Sequence, residues 1–229
     1  MKKSSNEPEL QFAVLAVDIV IFTVRDGKLL MRLAKVHRPP FFDNIPGFPG
    51  GLIKPQETAE ETVNRILQEK ALISPEHVYS EQFYTFSQVD RDPRGRVVSV
   101  GYVACVPWDK LSPTEQLGDD EVWWSEKRPL KHMAYDHSFV LEKALSYLHA
   151  RIKSTTLASK LLPEHFTLTM LENTLEILLE EKIDKRNFRK KIAKLKILRA
   201  LKEKTTGMKH RPAQLYAMKS HEVIEASLF

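Results

Sequence analysis

Cysteine is almost absent: Cys105 stands alone among 229 residues. One thiol cannot close an intrachain disulfide or build a CxxC metal site, which fits a reducing, cytoplasmic setting. Within the apolar run GYVACVPW it reads as a buried strand residue. Membrane-length hydrophobic runs are also missing. FAVLAVDIVIFTV is too short to span a bilayer and is interrupted by Asp18. The polar start MKKSSNEPELQ has no signal-peptide pattern, so no membrane partner is expected. Internal repeats and low-complexity tracts are lacking as well. What remains, 42% hydrophobic and 28% charged residues, is the composition of a globular chain long enough for one large domain or two small ones.

Charge is present but unevenly placed. Residues 182–211 hold thirteen Lys/Arg against two Asp/Glu, a net +11, so with the whole chain at +5 the remainder carries −6. Such asymmetry suggests an acidic or neutral first part and a basic second part that meets a polyanion; the competing reading is a solvated basic helix without a partner.

Residues 12 to about 148 read as mixed α/β. AVLAVDIVIFTV and KLLMRLAKV are strands around the hairpin signal RDG. RPPFFDNIPGFPGG is rich in Pro and Gly and reads as a loop. TAEETVNRILQEKAL has helical spacing through Ala59, Val63, Ile66, Leu67 and Leu72, with Glu61 and Arg65 spaced for an i,i+4 ion pair. EQFYTFSQV, RVVSVGYVACVPW and EVWWSEKRPL supply further strands, and DHSFVLEKALSYLHARI a second helix with Asp136 as its N-cap. After about Lys153 the pattern changes. FTLTMLENTLEILLEEK is a helix capped by Thr167 or Thr169. A basic helix follows, capped by Asp184, with Phe188, Ile192 and Leu195 facing a core. Two strand-like runs then flank a basic turn at Gly207. Helix, turn, basic helix and hairpin is the order of a winged helix.

The stretch from Gly51 resembles the Nudix box, G-x5-E-x7-R-E-U-x-E-E-x-G-U, where U is aliphatic. Gly51, Glu57 and Arg65 match their intervals, Leu67 and Ile73 fit aliphatic positions, and Glu69 fits the first of the paired glutamates. Ile66 stands where the box has a glutamate, Lys70 where it has the second of the pair, and Leu72 where it has glycine. In active relatives the carboxylates at these helix positions hold Mg²⁺, a hard cation that wants oxygen ligands. Isoleucine offers none and lysine repels the ion. The box is therefore vestigial: catalytic residues, a metal site and a cofactor are not expected.

A degenerate Nudix domain followed by a basic winged helix is similar to the Nudix-related transcriptional regulators, the NrtR family. The resemblance runs from about Phe12 to Met218, through DRDPRG at 90–95, YDH at 135–137, FTL at 166–168, NFRKKI at 187–192 and RPAQLY at 211–216. It implies an α/β (α+β) Nudix fold over residues 1–152 and a winged helix-turn-helix domain over 153–229. It also implies a homodimeric DNA-binding regulator, a repressor, whose Nudix domain senses a small molecule. In the best-known branch that effector is ADP-ribose and the regulon is NAD metabolism; other branches relate to sugar utilisation.

Candidate effector contacts are Arg38, Gly50, Gly51, Arg91, Arg94, Tyr135 and His137. Arginines suit a diphosphate and glycines admit close approach. Their structural alternatives are a polar hairpin at DRDPRG and a helix cap at Asp136. Phe41, Phe42 and Phe48 stack on a base or cover the core. Candidate DNA contacts are Lys185, Arg186, Asn187, Arg189 and Lys190 for base edges, Lys191 and Lys194 for phosphates, and Lys209, His210 and Arg211 at the wing. Two recognition helices in a dimer imply a pseudo-palindromic duplex DNA operator. The runner-up reading is a Nudix hydrolase acting on ADP-ribose or another nucleoside diphosphate derivative, which needs Glu57 and Glu69 to suffice for a metal, or substitutes from elsewhere such as Glu60. A third is an RNA-binding protein using the same basic face.

Overall fold

The computed structural model describes residues 12–126, 132–204 and 212–228. Strand β1 (Val14–Arg25) is buried over most of its length. Val17, Ile19 and Ile21 belong to one core cluster, Val20 and Phe22 to another. A strand covered on both faces has no polar side to show, hence its nearly continuous apolar sequence. Asp26 and Gly27 both take positive φ (49° and 76°), the left-handed pair of a tight hairpin, and lead into β2 (Lys28–Arg38).

Next come β3 (Phe42–Gly47) and β4 (Gly50–Leu52), so the Pro- and Gly-rich segment read as a loop contains two strands. Pro46 is tolerated because β3 lies at the sheet edge, where a missing N–H breaks no further ladder. Helix α1 (Ala59–Glu69) begins with a capping box: Thr58 accepts from the Glu61 N–H, and the Glu61 carboxylate accepts from the Thr58 N–H. Glu61 is thus used at the cap and does not pair with Arg65 as its spacing suggested. The helix also ends before its apolar spacing does. Leu72 turns into the left-handed region (φ 53°) and is exposed rather than packed on the helix face.

The first domain is completed by β5 (Tyr79–Phe86), β6 (Val97–Cys105), α2 (Pro113–Leu117), β7 (Val122–Glu126) and α3 (His137–Ser154). Helix α2 is too short for apolar periodicity to reveal; a Ser112–Glu115 capping box and Pro113 in its first turn set it. The sheet order is β3-β2-β1-β6-β5, with β4 paired to β1 and β7 to β2. Strands β1 and β6 run parallel from Val14 to Phe22. Helix α1 covers the Val17–Ile19–Ile21 face and α3 the opposite one. Trp123 and Trp124 pack on opposite faces, as strand neighbours must. Arg32, fully buried on β2, donates to Ala71 O and Glu115 O (3.0 Å each) and ties the chain after α1 and helix α2 to the sheet.

The second domain consists of α4 (Leu168–Leu179), α5 (Lys185–Leu195) and the hairpin β8 (Leu198–Lys204) with β9 (Gln214–Met218). Thr167 caps α4 and Asp184 caps α5. Helix α4 ends before its acidic tail because Glu180 takes the left-handed cap conformation (φ 56°). The division expected after residue 152 falls inside the last turn of α3. Beyond that turn the C-terminal residues fold back, Ala226 N donating to Ser154 O (2.7 Å) and Thr156 N to Ile224 O (3.0 Å). One apolar cluster runs unbroken from Val20 and Phe22 through Leu148 and Ile152 to Leu175, Phe188 and Ile192.

Candidate ligand cleft and nucleic-acid interface

A cleft of about 580 Å³ opens where β1, β2, β4, the end of α1, the loop after β5 and the start of α3 converge. Its volume suits a small organic ligand, for which roughly 300–1,000 Å³ is usual. Arg38, Gly50, Gly51, Arg91, Arg94, Tyr135 and His137 all line it, beside Asp18, Glu69 and Lys70.

The cleft floor is a buried charge network. Asp18 lies on the α3 side of β1, where Arg91 Nη2 reaches its Oδ2 (2.8 Å). The same guanidinium grips Asp136 through Nη2–Oδ1 (2.7 Å) and Nε–Oδ2 (3.0 Å). Asp136 occupies the N-cap position of α3 but makes no side-chain cap bond; its carboxylate is spent on Arg91. Phe48 N–H donates to His137 Nδ1 (2.9 Å), leaving Nε2 to face Asp18 Oδ1 at 3.5 Å. Burial alone pushes a carboxyl pKa up. Here the hydrogen bond and charge of His137, with the charge of Arg91, outweigh it and hold Asp18 well below the usual carboxylate range.

The two arginines of DRDPRG therefore differ. Arg91 is a buried strut between β1 and α3. Arg94 is held by buried Asp92 (Nη2–Oδ2 2.6 Å), keeps 42% of its side chain exposed, and lies 5.7 Å over the Tyr135 ring. Tyr135 has φ 54°, a conformation that costs a non-glycine residue about 1–2 kcal/mol. Its ring packs against Phe42 in a tilted arrangement, with centroids 4.5 Å apart and planes at 57°. Phe48 is core, and Phe41 is exposed. The cleft glycines serve packing before they serve a ligand. A Cβ on Gly50 collides with the Asp18 carboxylate, and one on Gly51 meets Ile66 Cδ1 at 2.7 Å and Lys70 Nζ at 3.1 Å.

At the box corner, Glu57 accepts from Arg65 Nε and Nη2 (2.7 Å each) and from Thr62 Oγ1 (3.0 Å). The Arg65 bond is the main reason its carboxyl falls to about 2. Arg65 also donates to Leu52 O (3.0 Å), so this pair locks the loop to the helix. Ile66 is fully buried in the α1 cluster. Glu69 is 55% exposed at the rim, 3.4 Å from Arg65. Lys70 folds back to donate to Gly50 O (2.5 Å). These residues do not fit a divalent cation: one carboxylate is committed to arginine, one position is hydrocarbon and one is cationic. Among the described residues no three His, Cys, Asp or Glu side chains are placed to hold an ion.

On α5, Phe188 and Ile192 are buried. At 3.6 residues per turn the opposite face carries Arg186, Lys190 and Lys194, with Asn187 alongside, all exposed. Lys185 is exposed at the first turn. Two expected contacts face elsewhere. Arg189 binds Glu172 of α4 (Nε–Oε1 2.5 Å, Nη2–Oε2 3.0 Å). Lys191 reaches Ser227 Oγ at 3.3 Å. Asn187 Nδ2 also bonds the capping Asp184 (2.8 Å). Lys209, His210, Arg211 and the turn at Gly207 lie outside the described residues. The Arg189–Glu172 pair and the return of Lys70 to Gly50 O carry no local signal, because their partners are distant in the chain.

No helix among the described residues is long and apolar enough to cross a membrane. The family model for the NUDIX domain matches residues 13–142, and that for the NrtR DNA-binding winged helix domain matches 158–218. The ADPR responsive transcriptional repressor NtrR of Acinetobacter baylyi is 30% identical over 207 residues, 89% of this chain and 81% of that protein. An ADP-ribose pyrophosphatase of Methanocaldococcus jannaschii is 30% identical over 130 residues, 56% of this chain and 70% of that one. The structure of Shewanella oneidensis NrtR complexed with a 27mer DNA superposes with a TM-score of 0.78 at 32% identity, covering 90% of this chain and 93% of the other. With a Nudix domain over its first part, a matching winged helix over its second and this extent of likeness to a full-length regulator, the chain belongs to the NrtR family of Nudix-related transcriptional regulators.

Proposed function

We propose that the protein is a DNA-binding transcriptional repressor whose Nudix cleft senses ADP-ribose and does not hydrolyse it. The observation that carries this reading is the union, in one chain, of a ligand-sized cleft with a cationic corner and an exposed basic α5 face, joined by α3 and a shared apolar core. Likeness to a repressor responsive to ADPR and to a regulator solved on DNA supports the same reading. Arg186, Asn187 and Lys190 meet base edges, Lys185 and Lys194 meet phosphates, and the wing residues Lys209, His210 and Arg211 extend the contact. The protein acts in the cytoplasm as a homodimer on a pseudo-palindromic operator. Its half-sites lie about 10 or 20 base pairs apart, one or two helical turns. ADP-ribose shifts DNA affinity by binding one placement of the two winged helices better than the other.

Fluorescence anisotropy on the DNA upstream of the protein's own gene, with and without ADP-ribose, tests this. Tight binding at physiological salt that changes with ADP-ribose is the expected result. Binding indifferent to ADP-ribose refutes the effector. Binding no better than to random DNA there and across a panel of genomic fragments refutes the regulator.

Likeness to an ADP-ribose pyrophosphatase gives the hydrolase reading its one support. It requires Glu69-dependent cleavage of ADP-ribose to AMP and ribose 5-phosphate, with Mg²⁺ or Mn²⁺, at a corner where Lys70 stands against Gly50.

A further inference from the structure

A degenerate box raises the question of what replaces the ion. A diphosphate in a cleft without a metal needs another compact positive charge at the same wall. We propose that the Lys70 ammonium is that charge: it takes the divalent cation's place as the diphosphate contact of the cleft, so that a nucleoside diphosphate binds without metal. This deepens the reading of the cleft as an ADP-ribose sensor and rests on it.

Lys70 follows the last residue of α1, where the backbone leaves the helix and the side chain can turn back across β4. Its Nζ lies 2.5 Å from Gly50 O and 3.1 Å from the place a Gly51 Cβ would fill. It lines the cleft rather than the outer surface. An ammonium has three N–H donors. Among the described residues Lys70 uses one of them, on Gly50 O, and has no carboxylate within ion-pair distance. The neighbouring carboxylates have other partners: Asp18 is held by Arg91, and Glu57 and Glu69 by Arg65. Burial, then the positive charges of Arg38 and Arg65, lower the Lys70 pKa, and the charges of Glu69 and Asp18 offset this only in part, so the net field at the side chain is cationic. An anion at this wall relieves that field, and a metal ion worsens it. A lysine serves such a role as a point charge with free donors, as lysines do in other phosphate sites. Gly51 leaves this room for Nζ, since a Cβ there would meet it at 3.1 Å.

The bland alternative is that Lys70 only latches β4 through Gly50 O. The two differ in ligand selectivity. Calorimetric titration of the full-length protein with ADP-ribose, ADP and adenosine, in EDTA and then in Mg²⁺, separates them. Wild type should bind ADP-ribose and ADP equally well with or without the chelator. Lys70→Met should weaken both by about 10- to 100-fold, the scale of a lost charge-assisted contact, and leave adenosine nearly unchanged. Lys70→Arg should restore part of the loss, and thermal unfolding confirms that each variant is folded.

Mg²⁺-dependent wild-type binding, unchanged diphosphate affinity in Lys70→Met, or equal losses for adenosine and ADP-ribose each overturn the inference and leave the sensor intact. If ADP-ribose fails to bind wild type while ADP binds through Lys70, the effector's identity falls and the inference stands. If no diphosphate binds, both fall.

Discussion

Arg189 of α5 clasps Glu172 of α4, a glutamate whose side chain is fully buried, with Nε 2.5 Å from one carboxylate oxygen and Nη2 3.0 Å from the other. The pair fixes α5 on α4. Arg189→Ala leaves a buried carboxylate without its partner. Fully buried pairs broken this way cost about 3–5 kcal/mol. Arg189 is 49% exposed and water compensates part of the loss, so about 1–3 kcal/mol is expected. Urea unfolding checks this. Arg189→Met combined with Glu172→Met should recover most of the stability, and an additive double variant would show that the clasp does not matter. A fall in DNA affinity for Arg189→Ala should accordingly be equal for specific and random DNA.

Arg186, Lys190 and Lys194 face away from the buried Phe188 and Ile192, so their removal should cost DNA affinity without costing stability. Lys194→Ala should reduce the slope of log K against log salt by about 1, one phosphate contact. Arg186→Ala should cost about 1–3 kcal/mol on the operator and less on random duplex, if its fork reads a guanine edge. Lys191→Ala should change neither, since Lys191 turns to Ser227. Anisotropy titrations between low and physiological salt measure all three. A Lys191 variant with the same salt effect as Lys194 would place DNA on the wrong side of α5.

The cleft floor predicts an acid limb in stability. Burial raises the Asp18 pKa, but His137 and Arg91 override it, and the net shift from 3.8 is downward. A carboxyl depressed on folding contributes stability that is complete above its unfolded pKa and is lost as pH falls below it. Asp18→Asn should therefore be less stable than wild type by about 3 kcal/mol at pH 7. The gap should hold down to about pH 5 and shrink as pH drops below the ordinary carboxyl value of about 4. Urea midpoints of both proteins at pH 7, 5, 4 and 3 read this out. A gap that opens on acidification would reverse the sign and remove Asp18 from the network.

What the sequence made legible follows how far each determinant reaches. The Asp26–Gly27 hairpin and the caps at Thr167 and Asp184 depend on neighbours along the chain, and each stands where the local sequence puts it. The family likeness supplied the domain pairing, which periodicity alone left open. Three such readings needed correction, the first because a nearer local partner won and the other two because a distant partner overruled a local one. Glu61 went to Thr58 instead of Arg65. Asp136 lies at a helix start but is taken by Arg91, 45 residues earlier. The Pro-rich segment after Arg38 became strands because β2 and β1 offer it backbone partners. All seven expected cleft residues line one cavity, yet Lys70, noted only for its unsuitability to metal, occupies the same wall.

The last prediction concerns how the cleft reaches the winged helix. The Asp18–Arg91–Asp136 network holds the start of α3 to the cleft floor. At its far end Arg151 pairs with Glu81 on β5 (3.2 Å) and with Glu225 on the returning C-terminal segment (3.0 Å). The apolar cluster beneath α3 continues without a gap into α4 and α5. Domains that share a core in this way should unfold together, so calorimetry should show one cooperative transition. A ligand that binds only the native state stabilises it by about 2.7 kcal/mol at 100 times its Kd. With ADP-ribose at that level, amides of α4 and α5 that exchange through global opening should slow about as much as those of β1. Protection confined to the Nudix sheet would mean that the two domains open independently. It would also mean that the effector acts on DNA binding through the arrangement of the proposed dimer rather than through this core.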